Sequence, residues 1–443
     1  MTQQACCGMT PLHEYDLFAL HPMQLTVERD SCVEYRPISS LSSSPSPINF
    51  EITTGIDEYI QFKETELYLK IRIDLQGKAK TKVLTSDDWK TLSPVNNLLH
   101  SMIKQVTVSI GNSEITSSNN TYAYTAYIDR LLYEGKNAKE TCLTSALWYI
   151  DTPTQMDSVN AARQAWVTNK DALDISKGQE FELIDKLSLD ISKQERAILG
   201  GSKINISILL NEPSFYLLCG DAIKPNVNIL EAVLLVHKSK VNSQVVEAHN
   251  IALKTAPARY PINRKEVKSF NVSQGVLDYH INDVYNIVLP RRLYVFCVNQ
   301  DAFNGNFKKN PFNFHHYDIR EICCYFNGSQ YPMKPYQPDF SSSKYIREYY
   351  GLFETANQTV GESAISIKRF DYGNGFTIFG FNFAPDLNDG ADMCGYLSPQ
   401  NIGNLRIEIK FNKALAEPIN VLVFSEFDSL IEVNQKRKGI KNF

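Results

Sequence analysis

Phe270–Tyr279 reads FNVSQGVLDY, and the chain has already written that pattern once: Phe50–Tyr59 reads FEITTGIDEY. At a spacing of 220 residues (270 − 50), Phe meets Phe, Gly55 meets Gly275 and Tyr59 meets Tyr279. Ile52 meets Val272, Ile56 meets Val276 and Glu58 meets Asp278. Each copy is a β-rich run, a glycine and a second short run, and a glycine inside a strand pattern marks a turn, a bulge or a close backbone approach. Further matches follow in the same order. Lys104–Ile110 (KQVTVSI) runs into Gly111-Asn112 and Ile319–Phe326 (IREICCYF) into Asn327-Gly328, hairpin-turn dipeptides 216 residues apart (327 − 111). Each turn is followed by a Tyr-rich stretch on helical spacing, Thr121–Tyr133 and Ser343–Phe353. Lys203–Leu209 (KINISIL) alternates like Leu405–Phe411 (LRIEIKF). Ordered matches at so long a period mean two structural copies rather than a short-period solenoid. The halves are therefore expected to superpose, with Phe50–Tyr59 and Phe270–Tyr279 on equivalent strands.

Composition agrees with two large β units. The 443 residues suffice for two cores, since single all-β domains commonly run to about 200–250 residues. Tyr and Phe number 23 each, and aromatic richness with modest charge favours sheets over bundles. A net charge of −4 provides no electrostatic footprint for specific nucleic-acid binding. Nine cysteines lie without CxxC or zinc spacing, which reads as reduced, mostly buried thiols. The opening residues do not read as a signal peptide, and no run of 18 apolar residues occurs, so no membrane span is expected. Sequons such as Asn271-Val272-Ser273 are then expected to be unused.

Taken in order, residues 1–20 read as an arm ordered only by a partner. The first β unit is placed at 21–245, with Ser39–Pro47 as a loop and Pro94–Met102 as a short helix. In Leu67–Leu75 the apolar Leu67, Leu69, Ile71 and Ile73 alternate with Tyr68, Lys70, Arg72 and Asp74, the signature of a half-buried strand. Residues 135–203 form an insertion too long for an ordinary connection and are expected to decorate the outer surface. Ser243–Lys254 can form a short helix, a linker is placed at 246–259 with Pro257–Pro261 as its core, and the second unit spans 260–434. There Leu289–Asn299 corresponds to Leu67–Leu75, Tyr331–Ser343 is irregular because it holds Pro332, Pro335 and Pro338, and Ile365–Phe383 supplies two or three strands. The tail 435–443 is basic. Antiparallel alternation with loops of very unequal length makes the fold class all-β: two tandem β-sandwiches with short helices in the loops, which the resemblance given below makes two tandem jelly rolls.

Chemistry is sparse. Phe314-His315-His316, with Glu321 and Gly328 beyond, nearly fits the first metal motif of cupins, but Phe314 stands where the first His should be and no His follows His316. Two remaining ligands would hold a metal weakly, and the plainer reading has both His satisfying backbone groups at a strand entrance. Asp386–Asp392 (DLNDGAD) lacks the twelfth-position Glu of a calcium loop. No GxSxG, HExxH, GxxxxGK[ST] or GxGxxG occurs. We therefore assign no catalytic residue, no cofactor and no metal site. Lys436-Arg437-Lys438 reads as a solvated terminus. Bulky groups on both faces of Leu289–Asn299, together with Tyr68 and the Tyr helices, read as aromatic surface awaiting partner subunits.

Several blocks carry a specific resemblance: ARYPINRKEV (Ala258–Val267), NPFNFHHYDI (Asn310–Ile319), DFSSSKYIREYYGLF (Asp339–Phe353) and NIGNLRIEIKFNKALAEPINVLVFSEF (Asn401–Phe427). From about Tyr15 to Val433 the chain resembles the hexon-like double jelly-roll major capsid proteins of Polinton (Maverick) elements and adintoviruses. More distantly it is similar to virophage and adenovirus-like capsid proteins. The resemblance implies a non-enzymatic structural protein whose pseudo-hexagonal homotrimers tile an icosahedral shell around double-stranded DNA. It also implies a pentameric vertex (penton) protein, minor capsid proteins, synthesis in the host cytoplasm, and assembly there or in the nucleus. Tandem β-sandwiches alone would equally suit a carbohydrate-binding or adhesion protein, or a glycan-trimming hydrolase with paired carboxylates.

Overall fold

The structure is a computed structural model that describes residues 23–41, 46–77, 91–116, 119–161, 180–220, 223–359, 363–384 and 399–442. The arm at 1–20 and the Asp386–Asp392 loop lie outside the described residues. Among the described residues every pairing between strands is antiparallel, and each half holds two facing layers with a four-strand order, one layer of the second half gaining a fifth strand from the C-terminal tail. In the first half, β1 (Val27–Tyr35), β10 (Ile223–Val241), β3 (Glu58–Gly77) and β7 (Glu180–Lys186) lie side by side in that order. They face β2 (Ile48–Ile52), β8 (Ile204–Leu210), β5 (Ile103–Ile110) and β6 (Ser113–Glu114). A two-stranded piece, β4 (Leu92–Pro94) with β9 (Leu217–Cys219), stands apart. In the second half the order β11 (Ala258–Val272), β18 (Ile419–Val433), β13 (Arg292–Asn299), β16 (Phe379–Asn382) faces β12 (Asp278–Tyr285), β17 (Leu405–Phe411), β14 (Ile319–Phe326), β15 (Ser329–Tyr336). The two orders are the same, position for position: the chain is two jelly rolls in tandem.

That correspondence corrects the repeat from which the halves were read. Phe50–Ile52 lies in β2 and runs through a turn into β3, whereas Phe270–Val272 ends β11, the counterpart of β1, and runs into β12. The 220-residue match is thus one strand out of step. Any antiparallel step reads as strand, glycine turn, strand, and the glycines differ in detail: Gly275 has φ +86°, while Gly55 is not left-handed. The later matches hold. Gly111-Asn112 and Asn327-Gly328 join β5 to β6 and β14 to β15, with φ positive at both residues of each turn, as type I′ hairpins require. Helices Tyr122–Tyr133 and Ile346–Thr355 follow those hairpins, and β13 sits where β3 does. Leu67, Leu69, Ile71 and Ile73 are buried, with Tyr68, Lys70 and Arg72 half-buried between them.

Several local expectations are overturned. Pro257–Pro261 is not a linker: β11 starts at Ala258, and Pro261 sits opposite Leu430. β11 pairs only with β18, so a proline missing its donor is tolerated on that edge strand. The halves are joined by residues 242–257, led by the expected short helix, Ser243–Ala252, whose cap Asn242 accepts from the Gln244 N–H at 3.0 Å. Pro332 and Pro335 do not prevent strand β15, another edge, because both fall where its ladder to β14 is interrupted, between Tyr331 and Tyr336. Ile365–Phe383 contributes one strand, β16, after a helical turn at Arg369–Tyr372. The tail is not merely solvated: β19 (Gly439–Asn442) pairs with Leu430–Val433 of β18. Nor is the 135–203 insertion only decoration. Phe181 and Leu183 put one face of β7 into the core, and Trp148 is buried.

Candidate functional site: the joint between the jelly rolls

The helix Tyr122–Tyr133 (YAYTAYIDRLLY) is apolar almost all round, and such a helix belongs inside. One side rests on its own jelly roll and the other meets the second. Tyr127 stacks on Phe312 at 4.1 Å and meets Phe314 edge-on at 5.8 Å. Tyr124 stacks on Phe303 at 5.7 Å. The Tyr133 hydroxyl lies 2.8 Å from that of Tyr294 on β13. Tyr294 and Phe296 are 0% and 1% exposed. Of the aromatic surface expected to await other subunits, the part on β13 and on helix Tyr122–Tyr133 is therefore consumed within the chain, whereas Tyr68 is half-buried and Tyr350 stays exposed. The two apolar faces were real, but sequence alone does not tell a second half from a second molecule.

Two charged side chains sit mid-helix. Asp129, 2% exposed, is held between Lys193 of the insertion and Lys265 of β11. Burial opposes its ionisation, yet the two ammonium groups keep its carboxyl far below the ordinary range. Arg130 contacts Asp185 of β7 at 2.6 Å, the His100 Nε2 at 2.7 Å and the Asn97 Oδ1 at 3.2 Å. With Arg130 donating to Nε2, His100 offers its Nδ1–H to the Tyr122 hydroxyl at 2.9 Å. Burial, then Arg130, lowers His100 to about 4, so the ring is neutral at pH 7. Burial would raise Asp185, but the Arg130 guanidinium beside it brings it to about 2.

A second polar cluster closes the joint beside Phe312. Asn310 donates its backbone N–H to Asp157 at 2.7 Å and its Nδ2 to Asp151 Oδ1 and the Met156 carbonyl, both at 3.2 Å. Asn313 Nδ2 donates to Asp157 at 2.9 Å, and the Tyr127 hydroxyl reaches Asp151 Oδ2 at 3.4 Å. Lys139, also buried, donates to the Leu131 carbonyl in its own half and to the Ala364 carbonyl in the other, at 2.9 and 2.7 Å. Beyond these, the tail staples the far end: the Arg437 carbonyl covers Gly111 and its guanidinium donates to Asn250 at 2.9 Å.

The motif residues do not converge. His316 accepts from the Asp318 N–H at 2.9 Å and stacks on Phe340 at 4.1 Å, a turn leading into β14. His315 lies edge-on to Tyr317. Glu321 is engaged by Lys410 at 2.6 Å and Gln337 at 2.9 Å. Among the described residues, no three His, Cys, Asp or Glu gather as metal ligands would, and no helix is long and apolar enough to cross a membrane. The joint was missed in the sequence, although Asp129-Arg130 inside an otherwise apolar helix was a signal that charge is buried there.

No protein-family profile matches the chain. It is 26% identical over 411 residues to an uncharacterized Caenorhabditis elegans protein, covering 89% of this chain and 93% of that one. Among solved structures it resembles a chain of the Sputnik virophage (TM-score 0.65, 10% identity, 100% and 95% of the two chains covered). It also resembles the Faustovirus major capsid protein (TM-score 0.56, 10% identity, 94% and 92% covered). The mavirus major capsid protein aligns at TM-score 0.54 and 9% identity, with 100% and 97% covered. The chain has the double jelly-roll fold of these viral proteins.

Proposed function

We propose that this protein is the major capsid protein of a DNA virus or virus-like element of the Polinton and adintovirus type. It forms homotrimers of pseudo-hexagonal outline that tile an icosahedral shell around a double-stranded DNA genome, with a penton protein at the vertices and minor capsid proteins as further partners. It performs no catalysis. The chain is made in the host cytoplasm and ends in the virion. The observations that carry this reading are the likeness to capsid proteins over nearly the whole chain and, in this chain, an apolar cluster that runs from one jelly roll into the other. A relative encoded by a nematode fits an element resident in animal genomes. Size-exclusion chromatography with light scattering tests it: a species of three times the 50.3 kDa chain supports the reading, and a monomer at every concentration overturns it.

A further inference from the structure

Asp151 is 5% exposed and sits where the two jelly rolls meet. The helix Tyr122–Tyr133 presents it with the Tyr127 hydroxyl, and the loop after β13 presents the Asn310 amide. Asn96, ahead of helix Leu98–Ser101, also acts on it. The charged group that faces it, from its own segment, is Asp157, an anion. Beyond Asp157 stands His315, which burial disfavours as a cation. The carboxyl thus meets neutral donors and a second carboxylate, in contrast to Asp129, which is clasped by two lysines.

We propose that Asp151 is a proton-operated latch on the joint: neutral, it holds the Asn310–Phe314 loop of the second jelly roll against the first, and ionised it loosens that loop. A buried carboxyl without a cation favours its neutral form: burial pushes Asp151 up to about 7, outweighing the Asn310 and Tyr127 donors that favour the ionised form, and Asp157 adds to the rise. In an opened joint it would regain an ordinary value near 4. The sign follows from linkage. Closure is strongest below about pH 4, where both states are protonated. It weakens tenfold per unit up to about pH 7, and is level above, where both are ionised. The loop that would loosen carries Phe312, the ring against Tyr127, so one proton bears on the fit of one half against the other. Such a joint stiffens in acid and gains play at neutral pH. The proposal does not depend on the capsid reading.

Hydrogen exchange of the full-length protein, followed by mass spectrometry on peptides covering 306–316 and 148–158, tests it. Rates corrected for the intrinsic pH dependence would show protection falling by nearly tenfold per unit between about pH 4 and 7, then levelling. Asp151→Asn, a permanently neutral isostere, would keep the protection and flatten the profile. Asp157→Asn removes the exposed anion and would move the wild-type profile to lower pH, which keeps the test open if Asp151→Asn does not fold. A wild-type profile that is already flat would overturn the latch. So would an unchanged slope in Asp151→Asn, or an unmoved midpoint in Asp157→Asn.

Discussion

Phe312 of the second jelly roll lies flat on Tyr127 of the first, ring centroids 4.1 Å apart and planes 2° from parallel. Phe312 is fully buried, so truncation leaves a cavity in the joint rather than a dent on the surface. Phe312→Ala is expected to cost about 3–5 kcal/mol, read as a fall in the urea midpoint. A loss below about 1 kcal/mol would mean that the two halves are not held by this stack.

Asp129→Asn leaves Lys193 and Lys265 facing each other without the carboxylate between them. Breaking a buried ion cluster in this way costs about 3–5 kcal/mol. Adding Lys265→Met should recover part of that loss, although Lys265→Met alone destabilises. A double-mutant cycle by denaturant unfolding gives the coupling, and additive effects would contradict the cluster.

The Arg130–Asp185 contact has its own pH signature. Asp185 is at about 2 in the fold against an ordinary value near 4, so its contribution is complete above about pH 4 and is lost as pH falls towards 2. The stake is about 2 kcal/mol. Thermal melts of wild type and Asp185→Asn should converge as pH drops through that window. A constant gap between them would argue against the assignment.

Gly111→Val should detach the tail. The residue has φ +55°, and a Cβ there would lie 2.3 Å from the Arg437 carbonyl oxygen. A β-branched side chain is strained in that conformation and cannot share the space. Trypsin should remove the residues after Lys436 or Lys438 faster in the variant than in wild type. Equal rates would show that β19 is not stapled by this turn.

The all-β class, the tandem halves, the hairpins at Gly111-Asn112 and Asn327-Gly328 and the alternation in β3 were legible because each is written in the order and period of residues along the chain. The equivalence of Phe50–Tyr59 with Phe270–Tyr279 was not, since one glycine turn between strands looks like the next and only sheet order separates β2 from β11. Prolines misled at Pro261 and Pro332 because edge and centre strands differ in what lies beside them, not in what they contain. The joint was hidden for the same reason. Tyr294 and Tyr127 announce buried surface, but their partners across the joint, Tyr133 and Phe312, are more than 100 residues away, and a covering half and a covering neighbour leave the same imprint.

The capsid reading is tested most directly by electron microscopy of the purified full-length protein, alone and with its vertex partner, over a range of salt and pH. The account predicts trimers of triangular to hexagonal outline and, with the vertex protein present, closed icosahedral shells. Dispersed monomers under every condition would contradict it.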